Sequence, residues 1–339
     1  MEKSKLKLPS DDPEQLMIKS QGTSNPDYGL EPEKRSIKQL LEYGTINLDK
    51  VSGPTSHEVV SWIKKMLNVD SVGHGGTLDP KVTGVLPVGL GQATRVLSAL
   101  LNAGKEYVCI MYLHKLETRN RIEKILKLFT GKLYQRPPVV SSVARRLRMR
   151  EIYYVDLLEV RENHVLFRVG CEAGTYIRKF CFDLGEALCS GAHMVELRRT
   201  RVGTYEEDNS LATLQNLKDA FTIYREENDE FYLRSIISPM EKMVHHLPKI
   251  YVRDSAVDAL CHGAALASAG VCYVDARIKP DTQVAFMTLK KELIGFGIAE
   301  KDAMTIYKAT KGIMVKNNKV FMKRGTYPRW DNLKINNIE

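Results

Sequence analysis

Gly73-His74-Gly75-Gly76-Thr77-Leu78-Asp79-Pro80, continuing as Lys81-Val82-Thr83-Gly84-Val85-Leu86-Pro87-Val88-Gly89, places one carboxylate in a glycine-lined turn directly ahead of an apolar run. Glycines at this density let the backbone take φ > 0 and let a bulky ligand come close. No cluster of His or Cys stands beside Asp79, so its chemistry is that of a nucleophile or base rather than of a metal ligand. The same residues also suit an Asp-Pro turn that only shapes the chain. They do not form a nucleotide loop: the Gly-Lys-Ser/Thr ending of a P-loop is missing, and Leu78 stands where a GxGxxG fingerprint starting at Gly73 needs its last glycine.

Outward from this turn the pattern is α+β. A strand is predicted at 45–48. Thr55 and Glu58 then have capping-box spacing and open a helix through Val60, Ile63 and Leu67. Further strands are predicted at 85–88, 106–114 and 194–202. Residues 153–160 and 165–171 flank Glu162-Asn163-His164 as a hairpin. Helical spacing covers 93–101, and a second helix over 175–189 is expected to break near Gly185. Without regular βαβ alternation, a mixed or antiparallel sheet is expected rather than a doubly wound one. After Leu247-Pro248 come short strands at 250–252, 283–289 and 293–298, a turn at Lys290-Lys291-Glu292, and a last pair within 312–322, which together suggest a small β-barrel. Residues 1–36 are polar and aperiodic, an extended arm. The expected division is therefore an arm at 1–36, an α+β domain at 37–247, a β-barrel domain at 248–330 and a tail at 331–339.

Bulk composition narrows the class. At 339 residues the chain has room for two cores, and its 43% hydrophobic and 27% charged content is that of a globular protein. No uncharged apolar run reaches about 18 residues, so no membrane span is expected. Met1-Glu2-Lys3-Ser4-Lys5 has no apolar core and does not read as a signal peptide. A formal charge of +9 suits a polyanionic partner. None of the six cysteines forms a CxxC pair, so a reducing, cytoplasmic setting is expected. The histidines show no ligand spacing either, and no metal is expected.

Five segments, in order, carry a resemblance. Gly73 to Gly84 resembles the catalytic motif of the TruB-type pseudouridine synthases, with Asp79 at the position of the family's aspartate. Ile46-Asn47-Leu48-Asp49-Lys50 with Gly53-Pro54-Thr55-Ser56-His57-Glu58 resembles the first motif, except that Val51 stands where the family usually has proline after the lysine, a change in loop rigidity. Lys105-Glu106-Tyr107 is similar to the base-stacking tyrosine motif, Gly174-Thr175-Tyr176-Ile177-Arg178 to the segment with the active-site arginine, and Leu197-Arg198-Arg199-Thr200 follows in family order. From about residue 25 to about 330 the chain resembles the archaeal, dyskerin-like branch of that family, whose members are catalytic subunits of H/ACA guide-RNA particles; its carboxy-terminal part resembles a PUA RNA-binding domain.

The resemblance implies isomerisation of uridine to pseudouridine: the N1–C1′ bond breaks, the uracil turns, and C5 joins the same C1′. No cofactor is required. Asp79 is the implied nucleophile; attack at C1′, attack at C6 and abstraction of the 2′ proton all remain open. Arg178 is implied to pair with it, and Tyr107 to stack on the flipped base and help remove the C5 proton. Tyr176 and Leu197 are implied to line the same pocket. His74 and Lys50 are expected to contact RNA, and Arg145, Arg146, Arg148 and Arg150, the densest basic stretch, to bind phosphates. Arg198, Arg199 and Arg201 extend that track, with strand alternation placing Arg198 on the opposite face from the other two. The implied partners are an H/ACA guide RNA, substrate rRNA, a small Nop-type protein, a Gar-type protein and a kink-turn-binding ribosomal-protein homologue, with the arm packing on the PUA domain. Two rival functions are a stand-alone enzyme acting on the tRNA T-loop and a non-catalytic RNA scaffold.

Overall fold

The computed structural model describes residues 6–137 and 145–329. The expected tail at 331–339 and the first five residues lie outside them. The chain divides into two compact units. One takes the residues up to Asp11, Ile46–Val88 and Leu97–Ile236; the other takes Asp12–Thr45, Gly89–Val96 and the chain from Ile237 onward.

The first unit is built on a mixed sheet whose strands run Leu211–Ala212, Gly44–Lys50, Thr83–Leu90, Ala192–Val202, Lys105–Leu113, His164–Cys171, Arg148–Arg161, Gly131–Gln135. Leu211 is parallel to Asn47 and Thr83 parallel to Arg198, while Lys105–Leu113 is antiparallel to both neighbours. The Arg148–Arg161 and His164–Cys171 strands form the expected hairpin, with Glu162 at φ 52° in its two-residue turn. Helices Arg119–Leu128 and Ile177–Ala187 cover one face. Ile122, Leu126, Phe180, Cys181 and Leu184, at helical spacing, join Cys109, Met111, Phe167 and Val169 of the strands in one core.

Local expectations meet the structure unevenly. The capping box is present: Thr55 Oγ1 accepts from the Glu58 N–H, and the Glu58 carboxylate accepts from the Thr55 N–H at 2.7 Å. The buried stripe of that helix is Val59, Ile63 and Leu67, at four-residue steps, so Val59 rather than Val60 faces inward. Residues 93–101 are not one helix but a 3-10 turn, Gly91–Arg95, and a short helix, Ser98–Leu101. The Ile177–Ala187 helix is unbroken. Gly185 marks a close approach instead: a Cβ there would lie 2.2 Å from the Ala192 backbone nitrogen.

One irregularity decides which side chains face the site. Glu106 pairs with Arg201 but Tyr107 pairs with Arg199, leaving Thr200 as an extra residue in its strand. This bulge shifts the alternation by one. Arg199 therefore shares a face with Tyr107, while Arg198 and Arg201 share the other. The expected partition of the three arginines is corrected accordingly.

In the second unit the strands run Leu16–Ile18, Val271–Asp275, Lys249–Val252, Gln283–Thr288, Leu293–Ala299, Ile313–Val320, Leu266–Ala267. Its core gathers Ile250, Val252, Val257, Val274, Phe286, Ile294, Ile306 and Val315. The Lys290-Lys291-Glu292 turn is present, with Lys291 at φ 67°. Residues 312–322 supply one strand, Ile313–Val320, which serves two neighbours, rather than a pair. Leu16–Ile18 adds antiparallel to Tyr273–Asp275. Arg35 and Glu241, both buried, meet in a two-pronged ion pair of 2.7 and 2.8 Å.

Candidate active site

The Asp79 turn is held through its backbone by three buried polar side chains. Ser56 Oγ accepts from the Leu78 N–H at 3.0 Å and donates to its carbonyl at 3.2 Å. The Lys50 ammonium, 1% exposed, donates to the carbonyls of Val51, Pro80 and Val82 at 2.9 to 3.0 Å. Arg199, also 1% exposed, donates from Nε to the Val85 carbonyl at 2.8 Å and from Nη2 to that of Gly76 at 3.0 Å. Gly84 permits this closeness: it sits at φ 100°, and a Cβ would fall 2.2 Å from the Arg199 carbonyl oxygen. Every backbone group so fixed leaves the Asp79 side chain free to face outward. It is 58% exposed and accepts from Arg178 Nη2 at 2.6 Å; Arg178 is itself 55% exposed.

Arg178 is the second residue of the Ile177–Ala187 helix. The preceding residue, Tyr176, is tied by its backbone to the buried Gln135 side chain: its N–H donates to Oε1 at 2.9 Å and its carbonyl accepts from Nε2 at 3.3 Å. Tyr107 and Leu197 lie on the sheet face that this helix covers, half-buried at the edge of its core. Burial pushes the Tyr107 phenol up, and the positive charge of Arg199 opposes that. Half-buried His74 meets His57 edge-on at 5.2 Å between ring centres. Burial, then the charges of His57 and Arg199, hold its imidazole below the ordinary histidine range. Among the described residues no group of three His, Cys, Asp or Glu could hold a metal ion.

Sequence profiles cover nearly the whole chain: "TruB family pseudouridylate synthase (N terminal domain)" matches residues 64–177, "tRNA pseudouridylate synthase B C-terminal domain" 178–245, "DKCLD (NUC011) domain" 3–60 and "PUA domain" 248–321. A "Probable tRNA pseudouridine synthase B" of Methanothermobacter thermautotrophicus is 54% identical over 309 residues, covering 91% of this chain and 95% of that one. The protein of the same description from Pyrococcus furiosus is 52% identical over 326 residues, 96% of each. The chain belongs to the TruB family of pseudouridine synthases. As a TruB-type enzyme it is an isomerase acting on RNA. Its fold matches the solved "Cbf5-Nop10-Gar1 Complex" with a TM-score of 0.92 at 52% identity, covering 96% of this chain and 99% of that one. It also matches a "Structure of H/ACA RNP bound to a substrate RNA containing 2'-deoxyuridine" with a TM-score of 0.90 at 50% identity, covering 95% and 99%.

For this TruB-type chain the structure brings Asp79 and Arg178 together and sets Tyr107 on the covered face beside them. Lys50 is a correction: a buried ammonium already facing three carbonyls offers no phosphate contact, and its place is under the turn. Arg198 and Arg201 likewise face carboxylates, Arg198 those of Asp49 and Glu207, Arg201 those of Asp11 and Glu206. Arg150 lies 3.8 Å from Glu172 and packs over Gly174. Arg145 and Arg146 are exposed, and Arg148 is half-exposed at the start of its strand. Three contributors went unnoticed in the sequence: Ser56, Gln135 and the buried role of Arg199. Ser56 follows a capping threonine and Arg199 depends on the Thr200 bulge, so neither leaves a pattern in a single strand or helix.

Proposed function

We propose that this enzyme is the catalytic subunit of a guide-RNA-directed pseudouridine synthase, with Asp79 as its reacting carboxylate. The single observation that carries the site is the exposed Asp79 side chain, fixed by Arg178 at 2.6 Å above a backbone held by buried groups. A carboxylate so placed is oriented before substrate arrives, and little reorganisation is needed when it reacts. The target uridine leaves its stack at a cost of a few kcal/mol. Tyr107 offsets part of this by stacking, worth roughly 1–3 kcal/mol. Tyr176 and Leu197 line the base pocket and His74 borders it. Asp79 then opens the N1–C1′ bond by one of the three routes named above, the uracil turns, C5 joins C1′ and gives up its proton, and N1 takes up a proton, so the number of bonds and electrons is unchanged.

Arg145, Arg146, Arg148 and Arg150 contact phosphates, while pairing with an H/ACA guide selects the sequence. The arm at 1–36, the catalytic part at 37–247 and the PUA part at 248–330 divide the work between chemistry and grip on the guide. Similarity to particles containing Nop10 and Gar1 supports partners of those two types. The kink-turn-binding homologue and a cytoplasmic setting belong to the same reading. A second reading, stand-alone action on tRNA, draws on the description given to the relatives.

The test is tritium release from a uridine-C5-labelled rRNA fragment and a labelled tRNA, each with and without guide RNA and partners. Release from rRNA only with guide, lost in Asp79→Ala, is the expected result. Release from tRNA without guide would move the enzyme to the stand-alone branch, and binding without release would leave the scaffold.

A further inference from the structure

Arg199 is a buried cation with no carboxylate bonded to it among the described residues. Among those residues its hydrogen bonds run to the carbonyls of Val85 and Gly76, and Tyr107 stands opposite it across the strand pair on the same face. Burying a charge without an opposite partner costs several kcal/mol. A neutral side chain of similar length would avoid that cost, so the fold retains something only the guanidinium supplies.

We infer that Arg199 is a positioning residue that ties Tyr107 to the Asp79 turn and sets the direction of the Tyr107 hydroxyl. The inference rests on the roles proposed above for Tyr107 and Asp79. A guanidinium has five donors and no acceptor. Toward the guanidinium opposite it the phenolic oxygen of Tyr107 can therefore only accept, so the phenolic hydrogen is turned elsewhere. A planar fork also holds the two carbonyls at fixed angles, which a lysine ammonium, a point charge on a flexible stem, does not reproduce. Gly76 and Val85 flank Asp79 on either side in sequence, so one rigid group fixes both ends of the turn and the ring expected to stack on the base. The Thr200 bulge makes this possible, because it gives Arg199 the face of Tyr107. Arg199 touches no reacting atom; it acts through Tyr107 and through the turn.

The experiment compares wild type, Arg199→Gln, Tyr107→Phe and the double variant, as the full chain with the RNA that turns over in the release assay. Single-turnover rates, RNA affinity and melting temperature are measured for each. Protein carrying 13Cζ-tyrosine is also examined, the Tyr107 signal being assigned by its loss in Tyr107→Phe. Arg199→Gln is expected to lower the rate by about tenfold or more while changing RNA affinity less than about threefold. In the Tyr107→Phe background the same change should lower the rate by clearly less, because the two residues are coupled. The Tyr107 signal should shift in Arg199→Gln. If that variant does not fold, Arg199→Lys is read in the same way, with the Tyr107 signal again expected to move. Equal losses in both backgrounds, or an unmoved Tyr107 signal, overturns the inference while leaving the proposed function intact. A full rate for Tyr107→Phe shows that the hydroxyl has no part in the reaction and overturns this inference, while the stacking role, which phenylalanine keeps, stands.

Discussion

Lys50 and Asp79 meet at one turn and have opposite relations to water: the ammonium is buried against carbonyls and the carboxylate is more than half exposed. Burial pushes the Lys50 ammonium below its ordinary range, and the Asp79 charge opposes that push. Lys50→Met would leave three buried carbonyls without their donor. It should destabilise the protein by on the order of 3 kcal/mol, measured by denaturant titration, and lower tritium release as well, since the turn loses its support. His74 gives a dependence on pH. Its folded-state pKa lies below the ordinary 6.5, so the unfolded chain takes up the proton first as pH falls. The stability tied to this group is complete above 6.5 and declines below it; His245, lowered mainly by burial, acts in the same direction. Melting temperature should fall between about pH 7 and about pH 5, and His74→Gln should flatten that fall. The residue types at the site were legible from sequence. The burial of Lys50 was not, because a lysine in a motif reads the same whether its ammonium meets phosphate or carbonyl.

At the level of elements, some single-segment readings held and others, such as one helix over 93–101 and Val60 on the buried stripe, did not. Register and close contact with a neighbouring strand could not be read at all. The Thr55–Glu58 capping box is local and is present. The Thr200 bulge exists only as a relation between two strands, so simple alternation misassigned Arg199 and Arg201. Gly185 shows the same limit, a glycine that suggests a helix break in sequence and proves to be a contact with the next strand. It also permits a prediction of sign. Replacing a mid-helix glycine by alanine usually stabilises by about 1 kcal/mol. Here the added methyl would meet the Ala192 backbone, so Gly185→Ala should destabilise by about 2 kcal/mol, with a lower midpoint in chemical denaturation. Since the same helix carries Arg178, the variant should also release tritium more slowly than wild type at a temperature where both are folded.

Across the whole molecule the charge of +9 sets the response to salt. Binding of RNA should weaken linearly in log–log form as salt rises, and each phosphate contact removed should reduce the slope by about 1. Arg146→Gln and Arg148→Gln should each do so in filter-binding titrations, whereas Asp79→Asn should leave the slope as it is. An unchanged slope in both arginine variants would remove the basic stretch from the RNA interface.

The path of the chain between its two units has a further consequence, for synthesis on the ribosome. The Leu16–Ile18 strand waits for Val271–Asp275, and Arg35 waits for Glu241. The second unit therefore needs segments from both ends of the chain and closes only after most of the protein has emerged. During that interval an unpaired strand and an arginine awaiting its carboxylate are held open, so early termination anywhere before Glu241 leaves a polypeptide in which the Leu16–Ile18 strand and Arg35 both lack their partners.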